Sequence, residues 1–338
     1  MKQFLALILI SIIGPIVMGT TGAARADDLP VLTVYTYSSF VSDWGPGPAV
    51  KKAFEAECAC KLNFVAVEDG VVLLSRLRLE GASSPADVVL GLDTNLTAEA
   101  AATGLFAPHN MDLSALQLPI AWHDADFVPY DFGYFAFVYD STKLKNPPRS
   151  LADLVAGNAS DKILIEDPRT STPGLGLLLW VRQVYGDQAG DAWAKLHRRI
   201  LTVSKSWDEA YGLFLKGEAP LVLSYTTSPA YHVIAEKKEN YAAAEFAEGH
   251  YLQVEIAGRL AGSKQPELAQ RFLAFVASPE FQAIIPTTNW MYPVLPPAGG
   301  LPAVFDAYKP AKALLYPSAE VAAHRREWVQ EWLTGMSR

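Results

Sequence analysis

The chain opens with one basic residue, Lys2, an apolar run from Phe4 to Met18, and small residues ending in Ala24-Arg25-Ala26. That order predicts a secretory signal peptide over residues 1–26, cleaved after Ala26. Pro15 interrupts a run already short for a membrane span, and no later stretch approaches the ~20 apolar residues a spanning helix needs. Beyond the signal, short apolar runs alternate with longer helical patterns, which predicts an α/β protein. Strands are expected at residues 31–35, 62–67, 87–90, 134–139, 163–165 and 221–224, and helices at 48–57, 71–79, 175–185, 207–215, 266–277 and 319–332. Two extended segments read as crossings between lobes: the apolar run Tyr134-Phe135-Ala136-Phe137-Val138-Tyr139 and the alternating run His250-Tyr251-Leu252-Gln253-Val254-Glu255-Ile256. They divide the chain into a first lobe of residues 27–138 and 255–338 and an inserted second lobe of residues 139–254. Two α/β lobes joined by paired hinge strands leave a cleft between them, and that cleft is where a ligand is expected.

Composition narrows the picture. Removing the signal leaves 312 of the 338 residues, enough for two ordinary domains, and takes Lys2 and Arg25 with it, so the net charge moves from -8 to -10. An anionic surface argues against nucleic acid and mildly favours cationic ligands. The only cysteines, Cys58 and Cys60, are too few for a disulfide scaffold or a closed zinc site. In an oxidising compartment they form either a small disulfide or two buried thiols, and spacing alone leaves both open. There is no P-loop, no G-x-S-x-G elbow and no H-E-x-x-H, Gly174-Leu175-Gly176 falls short of a dinucleotide fingerprint, and the six histidines lack metal-ligand spacing. Catalysis is therefore not expected.

Candidate chemistry gathers at two strand ends. Ile165 to Gly174 runs from a strand into a helix, with Ser171 or Thr172 as N-cap and Pro173 as an early helical residue. A helix start of that kind aims free N–H groups at the cleft and suits a phosphate or other anion, although a cap with no ligand follows the same pattern. Leu221 to Tyr231 repeats the arrangement with Tyr225, Thr226, Thr227 and Ser228 ahead of Pro229. Trp44, Trp207, Tyr225, Tyr231, Trp290 and Tyr292 fall in loops and helix starts, where aromatic rings can sandwich a flat ring and attract a cation. Trp180, Trp193, Trp328 and Trp332 sit inside helical patterns and read as packing. Asp69, before Gly70, and Asp93 are candidates to pair with a cationic or amino-bearing ligand, or else helix caps.

Several motifs together carry a family resemblance: Leu32 to Tyr37, Asp43 to Pro48, Asp167 to Gly176, Ser224 to His232 and Asn289 to Pro293. In these the chain resembles the periplasmic thiamine-binding proteins of bacterial ABC importers, within the two-lobed class that also holds ferric-ion and polyamine binders. The resemblance implies a type II periplasmic-binding-protein-like fold, a periplasmic location, and capture of thiamine or its mono- and diphosphate for an ABC transporter permease. It also implies a site of Asp69, Gly70, Ser171, Thr172, Trp207 and Tyr225 to Ser228, with Tyr37, Tyr231 and Trp290 as further aromatic walls. On that basis Ser171 and Thr172 would hold the alcohol or phosphate end, and Trp207, Tyr225, Tyr231 and Trp290 the rings. Three other readings compete. A ferric binder would present adjacent tyrosines, whereas Thr226 follows Tyr225. A polyamine binder would share the aromatic walls and carboxylates. A thiamine-degrading enzyme would need a nucleophilic cysteine facing the cleft, and Cys58 and Cys60 precede an apolar strand instead.

Overall fold

The computed structural model describes residues 29–338, so the expected signal peptide lies outside the described residues. The first half of a long twisted sheet runs Lys61–Val67, Val31–Tyr37, Val88–Asp93, His250–Leu260 and Phe127–Asp140. The second half continues through Leu221–Tyr225, Ile163–Glu166 and Ile200–Ser204. The strand Phe127–Asp140 serves both halves. It pairs with His250–Leu260 as far as Tyr134 and with Leu221–Tyr225 from Phe135 onward. Nearly every residue of this 14-residue strand is buried, which explains its unbroken apolar run in the sequence.

Both faces of the first half-sheet are covered by helices. Helix Gly47–Cys58 buries Val50, Phe54 and Cys58 at helical spacing, and Phe54 meets Phe272 of helix Pro266–Val276 edge to face at 5.0 Å. It stops at Ala59, which adopts a left-handed conformation at φ 49°, and a Cys58–Cys60 disulfide then clips the turn into strand Lys61–Val67. The structure thus resolves the open choice for this pair in favour of the bond. In the second half, Leu164 and Val222 pack beneath Tyr211 and Phe214 of helix Trp207–Leu215.

Helix Thr172–Tyr185 lies so close to the crossing strand that a Cβ at Gly176 would fall 1.9 Å from the Phe135 ring. The glycines of Gly174-Leu175-Gly176 therefore serve close helix–sheet packing. The last helix, Ser318–Met336, divides its contacts: Arg325 forms a paired bond to Glu99, while Trp332 meets Trp193 of helix Ala189–Leu196. No helix among the described residues is long and apolar enough to cross a membrane.

Candidate functional site

Three helices begin at one point between the two half-sheets. Asp69 is the N-cap of helix Gly70–Glu80 and accepts the Gly70 N–H at 2.7 Å. The same carboxylate accepts the N–H of Thr172 at 3.1 Å and that of Trp207 at 3.3 Å, the first helical residues of Thr172–Tyr185 and Trp207–Leu215. A carboxylate suits this place because three helix dipoles and three otherwise unbonded donors converge on it. Burial still raises its pKa above the ordinary value, the hydrogen bonds offsetting only part of the desolvation. Gly70 permits the approach, since a Cβ there would lie 2.4 Å from the Thr172 hydroxyl.

The helix starts expected to offer free N–H groups to an anion are thus partly occupied by the protein's own carboxylate. Ser171 is the N-cap of its helix, accepts from Gly174, and is fully buried. A neighbouring carboxyl, Glu166, is also buried, and neither of its oxygens has a hydrogen-bond partner among the described residues. Burial, reinforced by the charge on Asp69, raises the Glu166 pKa well above the usual range and so favours its neutral form.

Beside Asp69 opens a cavity of about 260 Å³. Among the residues lining it are Tyr37, Asp69, Thr172, Trp207, Tyr225, Ser228, Tyr231 and Trp290. Four other expected residues stand behind the wall: Gly70 at the helix approach, Ser171 in its cap, Thr226 bonded through its N–H to the Tyr134 carbonyl, and Thr227 fully buried. Trp207 is fixed by its indole N–H, which donates to the Ser224 hydroxyl at 2.8 Å, and by stacking on Tyr211 with centroids 5.1 Å apart. Ser224 and Ser228 share a hydrogen bond of 2.7 Å. Tyr225 donates to Gln253 at 2.8 Å, and Tyr231 meets Trp290 edge to face at 5.4 Å. Trp44 closes the rim by meeting Trp207 at 6.0 Å.

Sequence reasoning missed Tyr211, Glu255, Asn289 and Met291, which also line the cavity. Tyr211 is held from behind, its hydroxyl bonded to His232 at 2.9 Å and His232 in turn to Glu236 at 2.7 Å. Asp93, considered as a partner for a cation, is fully buried and spends its carboxylate on Asn95, with burial raising its pKa to about 7. Besides Asp69, the acidic residues that line the cavity are Asp208, in the first turn of helix Trp207–Leu215, and Glu255, which accepts from the Tyr37 hydroxyl at 3.0 Å.

The model of one family, described as bacterial extracellular solute-binding protein, matches residues 83–325. The chain belongs to the bacterial extracellular solute-binding proteins. Within this family it is 62% identical to the thiamine-binding periplasmic protein of Escherichia coli K12 over 310 residues, 91% of this chain and 94% of that one. It is 46% identical to the protein of the same name from Haemophilus influenzae over 321 residues, 94% of this chain and 95% of its relative. A solved periplasmic thiamin binding protein superposes with a TM-score of 0.89 at 61% identity, covering 92% of this chain and 97% of its own. Iron-bound HitA from Pseudomonas aeruginosa, 24% identical with a TM-score of 0.71 over 90% of this chain and 99% of its own, shares the fold. This solute-binding protein is accordingly periplasmic and has the two-lobed α/β fold of its family. The relatives from Escherichia coli and Haemophilus influenzae and the superposed thiamin-binding structure are all named as binding proteins.

Proposed function

We propose that this solute-binding protein captures thiamine in the periplasm and delivers it to the permease of an ABC importer. The observation that carries the reading is the cavity, where Trp207, Tyr225, Tyr231 and Trp290 surround a space bounded by the carboxylates of Asp69 and Glu255. Thiamine brings a flat aminopyrimidine, a thiazolium cation and an alcohol arm. Rings and carboxylates suit the first two, and the hydroxyls of Thr172 and Ser228 suit the third. The 62% identity to the Escherichia coli thiamine-binding protein supports the same ligand. In this reading residues 139–254 move as a lobe against residues 27–138 and 255–338, and the ligand is enclosed as Asp69 meets the helix starts at Thr172 and Trp207. The protein binds and does no chemistry on its ligand. Ligand-stripped protein titrated with thiamine in a calorimeter should show saturable one-to-one binding with quenching of tryptophan fluorescence, and mass spectrometry should recover thiamine unchanged. No heat and no quenching would refute the reading.

A further inference from the structure

The part of the cavity wall around Glu255 is built differently from the part around Asp69. Glu255 on strand His250–Leu260 and Asp131 on strand Phe127–Asp140 face each other directly across the antiparallel ladder, and both are buried. Asn289, just after helix Pro279–Thr288, donates its amide to Asp131 Oδ2 at 2.7 Å and to Glu255 Oε2 at 3.1 Å. Tyr37 donates to the same Glu255 oxygen at 3.0 Å. Asp131 Oδ1 has no hydrogen-bond partner among the described residues although Asp131 is fully buried. Burial, and then the charge of Glu255, raises the Asp131 pKa well above the ordinary carboxyl range and favours its neutral form behind Glu255. Glu255 and Asn289 both line the cavity, and with the Asn289 nitrogen turned to the carboxylates its oxygen, which accepts only a long 3.5 Å bond from the Tyr37 hydroxyl, stands as a second acceptor beside Glu255.

We infer that Glu255, backed by Asp131 and oriented by Asn289 and Tyr37, is the specificity-determining group that reads the amino-bearing edge of a flat heterocycle. The inference rests on the thiamine reading and deepens it. The aromatic walls recognise ring faces and tolerate any flat cation of the right size. Side-by-side acceptors in the plane of such a ring instead select for hydrogen-bond donors on its edge, and an analogue with a carbonyl there would set acceptor against acceptor.

The test compares thiamine with oxythiamine, in which oxygen replaces the pyrimidine amino group, by calorimetry on the unaltered protein and on Glu255→Gln. The unaltered protein should prefer thiamine by at least about tenfold. Glu255→Gln, whose amide can donate to the oxo group, should bring that ratio close to one or invert it. An unchanged ratio in the variant, or no preference in the unaltered protein, overturns the inference while leaving thiamine binding intact. Absence of binding to either compound by the unaltered protein overturns the thiamine reading first and this inference with it. If Glu255→Gln fails to fold, the unaltered protein serves alone between about pH 5 and about pH 8. Glu255 is surrounded by Asp131, Asp93, Tyr37, Tyr130, Tyr225 and Asn289, and burial raises its pKa to about 6. The preference for thiamine should then rise several-fold with pH as Glu255 ionises, and a flat ratio overturns the inference.

Discussion

Replacing Asp69 with alanine removes one acceptor from three N–H donors, two of which, Thr172 and Trp207, begin other helices. A hydrogen bond to a charged group contributes about 1.5 to 3 kcal/mol net, and the long bonds to Thr172 (3.1 Å) and Trp207 (3.3 Å) place each near the lower figure. The cost of burying the carboxylate, visible in its raised pKa, is recovered in the variant and offsets the helix-dipole contribution of about 0.3 to 1 kcal/mol. Closure should therefore lose about 3 kcal/mol, which is roughly 150-fold in thiamine affinity. The Gly70 N–H loses its cap as well, for about 1 kcal/mol of stability in the unliganded protein. Calorimetry measures the affinity, and small-angle scattering with and without thiamine measures whether the protein still compacts. Asp69→Asn, which keeps one acceptor oxygen, should fall between wild type and Asp69→Ala. An Asp69→Ala affinity within threefold of wild type, with compaction preserved, would refute the argument that this carboxylate holds the closed form together.

Three further outcomes are expected. Unliganded protein should melt at a lower temperature near pH 8 than near pH 5. Burial raises the folded pKa of Glu255 to about 6 and of Asp93 to about 7, and raises those of Asp131 and Glu166 further above normal. A carboxyl with a raised folded pKa contributes fully below its unfolded value and loses that contribution as pH rises through the folded one. Calorimetric melts should show the fall, Asp93→Asn should reduce it, and a melting temperature that rises over this window would contradict it. Ser171→Ala should cost about 1 kcal/mol of stability through the lost cap, while titrations should show thiamine and its monophosphate weakened alike, because Ser171 is fully buried behind the cavity wall. Changing Cys58 and Cys60 together to alanine opens a very short loop and should cost about 1 to 2 kcal/mol in denaturant unfolding, with thiamine affinity unaltered because the bond lies at the end of helix Gly47–Cys58, outside the cavity lining.

Much of the frame was legible because it follows local rules. The unbroken run at residues 134–139 is a strand buried on both faces, and Ser171 before Thr172-Pro173 is a cap. Trp180, Trp193, Trp328 and Trp332, placed in packing by their helical spacing, are all buried. The strand Ile200–Ser204 escaped notice because it is short and only partly buried, and helix Pro279–Thr288 because Pro286 interrupts its pattern. The candidate site divided along similar lines. Aromatic residues at helix starts announced themselves, whereas Glu255 lay in a strand whose polar–apolar alternation ordinarily implies a solvent-facing row. In the folded chain that row turns inward, with Gln253 and Glu255 both buried. Only the pairing of Glu255 with Asp131, more than a hundred positions away, gives the acidic side chain a reason to be there.

The contact between Gly176 and Phe135 bears on how such a site can drift over evolution. Phe135 supports Tyr225 on the cavity side, their rings 5.1 Å apart, while Gly176 lets the helix that begins at Thr172 rest against it. A larger residue at position 176 would push that helix off the strand and draw its first N–H away from Asp69 without touching anything in the cavity. Changes in ligand preference among relatives could thus arise at a glycine that no inspection of ligand contacts would select. A search for specificity determinants that starts from the cavity lining would pass over the position that sets the lining's spacing.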